Sequence, residues 1–447
     1  MSETTKKYIG LVLLHMLIGV AIYTVPALSK VYGYGIILGG IYYVVLNQNK
    51  NEEVLLAAAY IVGSEVLLRM TEGNIVYEFS KYGVMIFILL GMYFNGFSKN
   101  GAPYWVFMLL LIPGIVIASY TMDPGSSLRK HISFNISGPV CLALCSLYAY
   151  QKKTSFELVN KILLFIGLPI IATTVYLTLY TPSVKDVITG TGSNLETSGG
   201  FGPNQVATIL GIGVFIFVSR MVYNSKSKII FLLNAFIVLN IAFRGLVTFS
   251  RGGMLTAAFM IIMLVVITYF RVNTRARSKM NYLILILGFA VFAIWTYSSM
   301  QTGGLIEKRY ANEDATGKVK ESRFTGREEL ARDEIESFLD SPVFGVGVGM
   351  NSEIRAHKTG EFMVSHNEIT RMLAEHGSLG IMALIILLMT PVILYLDNKY
   401  NVFVLPFLIF WLLTINHAAM RLAAPAFVYC LSLLKVFIDE EPPVHRK

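Results

Sequence analysis

Long apolar runs separated by short polar connections fill most of this 447-residue chain. About 20 mostly apolar residues let a helix cross the ~30 Å hydrocarbon core of a bilayer. On that measure the pattern predicts spans near 8–28, 31–46, 54–70, 76–97, 103–121, 132–150, 160–180, 204–223, 228–248, 252–271, 281–299, 377–397, 401–416 and 419–438. These make about 14 helices, or 12 if the shortest runs, 31–46 and 401–416, are re-entrant or merged. The first run follows Lys6 and Lys7 without a small-residue cleavage pattern, so it reads as an uncleaved first span. The expected fold is all-α, a polytopic membrane protein with one long loop late in the chain.

Composition agrees: 55% of residues are hydrophobic, 15% are charged, and the mean hydropathy is +0.61. The formal charge of +9 does not argue for nucleic acid, because loop cations that orient the helices account for most of it. With the N-terminus cytoplasmic, the inside connections hold Lys50; Lys99; Lys152 and Lys153; Lys226 and Lys228; Arg271, Arg275, Arg277 and Lys279; Lys399; and the tail residues Arg446 and Lys447. The alternation persists to the end, so both termini are expected in the cytoplasm. Cys141, Cys145 and Cys430 fall inside apolar runs and read as packed thiols rather than a disulfide or metal set.

Four segments follow from this layout: N-terminal spans at 1–180, central spans at 181–299, a loop with short helices at 300–376, and C-terminal spans with a tail at 377–447. Three connections on the extracytoplasmic side are long enough to act: 123–131, 181–204 and 300–377. The third alone carries many charges of both signs. Within it, "GREELARDEIESFL" (326–339) predicts an amphipathic helix that Pro342 stops, and a second helix is expected from 366 to 375, ending at Gly377.

Cations on that face need an anionic partner, and they sit in compact motifs. In "TFSRGGML" (248–255), Arg251 begins or caps a helix, and Gly252 and Gly253 allow close backbone approach to a ligand. A guanidinium at a helix N-terminus makes a phosphate site; the plain alternative is an arginine snorkelling to headgroups. In "RFTGREEL" (323–330), Arg327 stands in a first turn that favours acidic residues, beside Arg323. In "VSHNEITRMLAEHG", His366 lies near a helix start, where a neutral imidazole that could take a hydroxyl proton is favoured. Asn367 adjoins it, and the spacing is not that of a zinc site. "GGFGPNQVA" (199–207) opens a span with Pro203 and with Asn204 as a good N-cap. Arg129 and Lys130 mark the first connection, and Asn416, His417 and Arg421 cluster at the last outer turn. "GVGVG" from Gly345 lacks the strand and helix of a nucleotide loop. Inside the spans, Glu65 with Arg69 and Glu78 with Lys81 are spaced as structural ion pairs.

Taken together, "SRGG", the single long late loop, "GR" opening its helix, "SPVFGVGVG", and "HN" followed by "AEHGSLG" resemble the O-antigen ligase and O-antigen polymerase superfamily, specifically over about 199–380. The resemblance implies a glycosyltransferase C-type fold in the bacterial inner membrane. It implies a metal-independent, cofactor-free transfer, on the periplasmic face, of a glycan from undecaprenyl pyrophosphate. Arg251 and Arg327 then match the arginines expected to hold the donor pyrophosphate, and His366 the histidine expected to activate the acceptor hydroxyl. Arg129, Lys130, Asn204, Arg323, Asn367 and Arg421 are the further candidate substrate-binding residues. A ligase would use a lipid A core sugar or a similar acceptor; a polymerase would use a second lipid-linked repeat unit and would call for a chain-length regulator. The reading adopted is ligase-type. The rival from another class, an anion or lipid-glycan transporter, draws on the intramembrane charges, but no inverted repeat supports it.

Overall fold

The computed structural model describes residues 3–121, 128–320, 327–360 and 363–437. Regular structure there is almost wholly helical: α1 (Glu3–Thr24), α2 (Leu28–Asn47), α3 (Glu53–Met70), α4 (Phe79–Asn95), α5 (Ala102–Thr121), α6 (Leu128–Ala149), α7 (Phe156–Tyr180), α8 (Pro203–Tyr223), α9 (Lys228–Val247), α10 (Arg251–Arg271), α11 (Thr274–Thr302), α12 (Leu305–Tyr310), α13 (Arg327–Asp340), α14 (Met350–Thr359), α15 (Glu368–Asp397), α16 (Val404–His417) and α17 (Ala423–Leu431). Two three-residue strands, β1 (Lys153–Ser155) and β2 (Lys435–Phe437), and one 3-10 turn (Glu196–Ser198) complete it. Every apolar run becomes a helix. Ten are long and apolar enough to cross a membrane, α4 and α16 are shorter apolar helices, and α3 has the length but carries Glu53, Glu65 and Arg69. The protein is an all-α, multi-pass membrane protein.

Local chemistry sets several helix starts. The side chains of Ser155, Ser227, Asn273 and Asn367 each accept a backbone N–H in the first turn of α7, α9, α11 and α15, satisfying donors that a helix start leaves open. Asn204 departs from the expectation. Gly202 is the cap residue, Pro203 takes the first helical position, and Asn204 sits one residue inside α8. There Pro203 costs nothing, since the N–H it lacks would have had no intrahelical partner.

The last predicted span, 419–438, is the main departure. Only nine residues are helical, all of them buried, about 13 Å at 1.5 Å per residue. Between α16 and α17 the backbone unwinds, and Ala419 takes a φ of +50°. Unwound backbone inside a membrane protein survives only where protein satisfies its polar groups. Here Ala423 N–H donates to Glu65 (2.8 Å) and Met420 N–H to Glu368 (3.3 Å). Arg69 donates to Arg421 O (3.1 Å) and Lys81 to Met420 O (3.4 Å). The intramembrane charges therefore pair as their spacing predicts, Arg69 with Glu65 at 2.8 Å and Lys81 with Glu78, and three of the four also hold the break. Beyond α17 the chain turns into β2, which runs parallel to β1 with Lys153 opposite Lys435. The chain near Phe437 thus lies at the α6–α7 connection that carries Lys152 and Lys153.

One apolar core extends from Tyr8 to Val436. Small residues bring helix backbones close within it: a Cβ on Gly253 of α10 would stand 2.2 Å from Ala207 O of α8. The helix expected at 326–339 appears as α13. The helix expected to end at Gly377 does break there: Gly377 is non-helical (φ 60°, ψ −139°), and α15 is two helices that meet at this kink. The "GVGVG" run explains the kink's packing. Val346 N–H and Gly347 N–H donate to Ala374 O and Glu375 O, and Val348 N–H donates to Gly114 O of α5. This glycine-rich segment clamps α5 to the bend, and Gly347 adopts φ +100° against the Ala118 backbone.

Candidate functional site

The turn from α9 into α10 is held from three sides. Phe249 is buried with φ +58°, a left-handed conformation that costs a non-glycine residue about 1–3 kcal/mol and persists only where surroundings impose it. Arg309 of α12 donates to Phe249 O (2.9 Å), Asn194 N–H to Thr248 O (3.0 Å), and Ser250 Oγ to Asn204 Oδ1 (2.7 Å). Arg251 opens α10 and donates to Arg309 O at 3.3 Å. Burial pushes the Tyr310 phenol up to about 12, against the pull of Arg251 and Arg309. Partial burial, reinforced by Arg309 and Arg251, lowers the Lys320 ammonium. Arg251, Arg309 and Lys320 thus form one cationic neighbourhood.

Next to this turn lies a cavity of about 510 Å³. Its walls come from the first turns of α10 (Gly252, Leu255, Thr256) and α13 (Glu328, Leu330, Ala331), from Ser365, His366 and the α15 cap Asn367, and from Asn416 and His417 at the end of α16. Three helix N-termini therefore border one space. Each brings about half a positive charge, the usual setting for an anion, and α10, whose cap residue Ser250 makes no side-chain bond to it, also brings open N–H groups.

Two histidines face it. His366 Nδ1 lies 3.1 Å from Val364 O and His417 Nδ1 lies 2.7 Å from Leu413 O. A carbonyl only accepts, so in each neutral ring Nδ1 carries the hydrogen and Nε2 the lone pair. Arg421 braces the His366 segment from behind, donating to Ser365 O (2.6 Å), while Ala419 N–H donates to His366 O (3.1 Å). The lid helix α13 is clipped down through Glu334, which accepts from buried Arg355 of α14 (2.6 Å) and from Thr370 of α15 (2.5 Å). Arg371, paired with Glu368 and Glu375, reaches Asn135 O of α6 (3.2 Å).

The structure gathers Arg251, Asn204, His366, Asn367 and Arg421 at one end of the molecule, with Arg327 at the first position of α13. Some of their roles differ from the expectation. Asn367 caps α15 and donates to Asn416 Oδ1 (2.8 Å). Asn204 receives Ser250. The two glycines of "SRGG" serve helix packing: Gly253 meets α8, and a Cβ on Gly252 would stand 2.6 Å from the His417 ring. Arg323 lies outside the described residues, as do the side chains of Arg129, Lys130 and Arg327. Among the described residues no cluster of His, Cys, Asp or Glu could hold a metal ion. Sequence reasoning did not single out Arg309, and it grouped His417 with its neighbours without assigning it to the site.

The chain matches no curated protein. Residues 235–385, about a third of the chain, match the family described as Wzy_C: O-Antigen ligase. That stretch contains the strained turn, α10, the lid helix, His366 and most of α15, and over it the chain is similar to the O-antigen ligase family.

Proposed function

We propose that this cavity transfers a glycan from undecaprenyl pyrophosphate to an acceptor hydroxyl on the periplasmic face of the inner membrane. The observation that carries the reading is the convergence of three helix N-termini and His366 on one cavity beside Arg251. Pyrophosphate is already a good leaving group, so the protein needs mainly to neutralise the charge it gains and to orient the acceptor. Arg251, Arg327 and the helix N-termini supply preformed positive charge without a metal. Each such contact is worth about 2.7–4 kcal/mol of barrier where comparable donors have been removed.

The acceptor oxygen attacks the anomeric carbon as the bond to the pyrophosphate oxygen breaks, and the configuration inverts. The hydroxyl proton passes to Nε2 of His366, and the electron pair of the broken bond leaves with the lipid pyrophosphate. A general base of this kind contributes roughly 10²–10⁴-fold. A ligase-type acceptor, a lipid A core sugar or similar terminal sugar, is the form adopted. A polymerase would run the same chemistry on a second lipid-linked repeat. The test is glycan display in intact cells, resolved by chain length and carrier, for wild type against His366→Ala. Long glycan accumulating on the lipid carrier in the variant is expected for the ligase. Single repeat units there would mean a polymerase, and an unchanged profile would remove the transferase reading.

A further inference from the structure

A second cavity, of about 460 Å³, opens at the same end of the molecule on the far side of α9. Its walls are α9, α11 and the chain just after α7. Two polar pairs, each spaced by one helical turn, line it: Asn240 with Arg244 on α9, and Tyr297 with Gln301 on α11. Side chains four residues apart on a helix share a face, so both pairs look into the same space. Between them lie Leu239, Phe243 and Ile294.

Arg244 is 5% exposed. Its Nη1 donates to Thr181 O at 2.9 Å and its guanidinium lies 5.5 Å from the Phe243 ring centre. It forms no salt bridge with any carboxylate among the described residues, unlike Arg69, Arg355 and Arg371. A buried cation within a membrane protein is costly unless it is paired. The negative end of the α9 dipole offsets only part of that cost. Asn240 adds a second polar group: it is an exposed amide on a face that otherwise shows Phe236 and Leu232 to lipid, and with one Nδ2 hydrogen given to Phe236 O (2.7 Å) it keeps a second to donate. Such polar groups ordinarily find a partner within the bilayer. No aspartate or glutamate lines the cavity, and every polar side chain on its wall can donate a hydrogen bond.

We infer that this cavity binds the phosphate headgroup of an anionic phospholipid from the surrounding bilayer, with Arg244 as its counter-ion and Asn240, Tyr297 and Gln301 as further donors. The occupant is a lipid because the cavity lies against α11, whose outward side chains Leu285, Phe289 and Phe292 are 67–74% exposed and offer acyl chains an apolar path. It is anionic because a zwitterionic headgroup would bring a cation with no carboxylate to receive it. Basic pockets between transmembrane helices take anionic headgroups on the same principle.

The experiment is native mass spectrometry of the full chain in detergent, titrated with phosphatidylglycerol, with phosphatidylcholine and with inorganic phosphate. One phosphatidylglycerol retained at low concentration is expected for wild type, bound roughly tenfold more weakly by Arg244→Gln, with partial recovery in Arg244→Lys. Asn240→Leu and Gln301→Leu leave the Arg244 bond to Thr181 in place and should each weaken the same binding several-fold. This keeps the test sound should the arginine variant misfold. Equal retention of phosphatidylcholine, saturation by inorganic phosphate alone, or unchanged binding in the Asn240 and Gln301 variants would overturn the assignment. None of these readouts depends on glycan transfer, so the site stands or falls separately from the proposed reaction.

Discussion

Helices α8 and α11 are similarly apolar, yet their surroundings are opposite. The membrane-length window of α8 is 89% buried inside the protein, whereas that of α11 is 11% buried. In water such a difference would be written in hydrophobicity, but a bilayer solvates an apolar side chain as well as a protein core does. What distinguishes the two helices is the space around their small residues. Cβ atoms on Gly211 and Gly213 of α8 would meet α10 and α7 within 3 Å, while one on Gly288 of α11 would meet nothing within 4 Å. Interior helices are selected by close backbone approach and by polar groups that need partners, and lipid-facing ones by apolarity alone.

That contrast can be broken at the interior charges first. Glu65→Leu removes the carboxylate that pairs Arg69 and accepts Ala423 N–H, and it should cost about 3–5 kcal/mol in thermal or denaturant unfolding of the detergent-purified protein. Adding Arg69→Met should recover much of the loss, since no buried charge is then left alone. Gly253→Val tests close approach directly. Its side chain meets Ala207 O of α8, and a destabilisation of about 1–3 kcal/mol is expected by the same measurement. A smaller effect is expected from Asn204→Ala, which leaves the Ser250 hydroxyl without its acceptor and should cost about 1 kcal/mol. At the lipid-facing extreme, Gly288→Leu should shift stability by less than about 0.5 kcal/mol. A large loss there would mean that α11 packs against a partner.

The same physics decides what could be read from the chain. Apolar runs revealed every apolar helix, because length and hydropathy are local properties, whereas the short polar helices α12 and α14 carry no such signal. The ion pairs Glu65–Arg69 and Glu78–Lys81 were legible because one helical turn brings the partners together. The shortening of α17 was not, since the break before it depends on Glu65, some 350 residues away. At the candidate site, Arg251, His366 and the lid helix stood out because polar motifs are conspicuous between apolar runs. The packing duty of Gly252 and Gly253 stayed hidden, because a glycine beside an arginine suggests a ligand as readily as a neighbouring helix. Arg309 and His417 enter through tertiary contact with Phe249 and Gly252, which no spacing announces.

The central claim is that glycan transfer takes place in the cavity under the lid helix, with His366 as base and no metal. The most direct measurement is transfer by the purified full-length protein from a polyprenyl pyrophosphate-linked glycan to a sugar acceptor, in the presence of a chelator, for wild type and His366→Ala. The account predicts that wild type turns over with inverted linkage and that the variant loses roughly 10²-fold or more while its unfolding temperature is unchanged. Equal rates for the two proteins, or a wild-type reaction that the chelator abolishes, would contradict it.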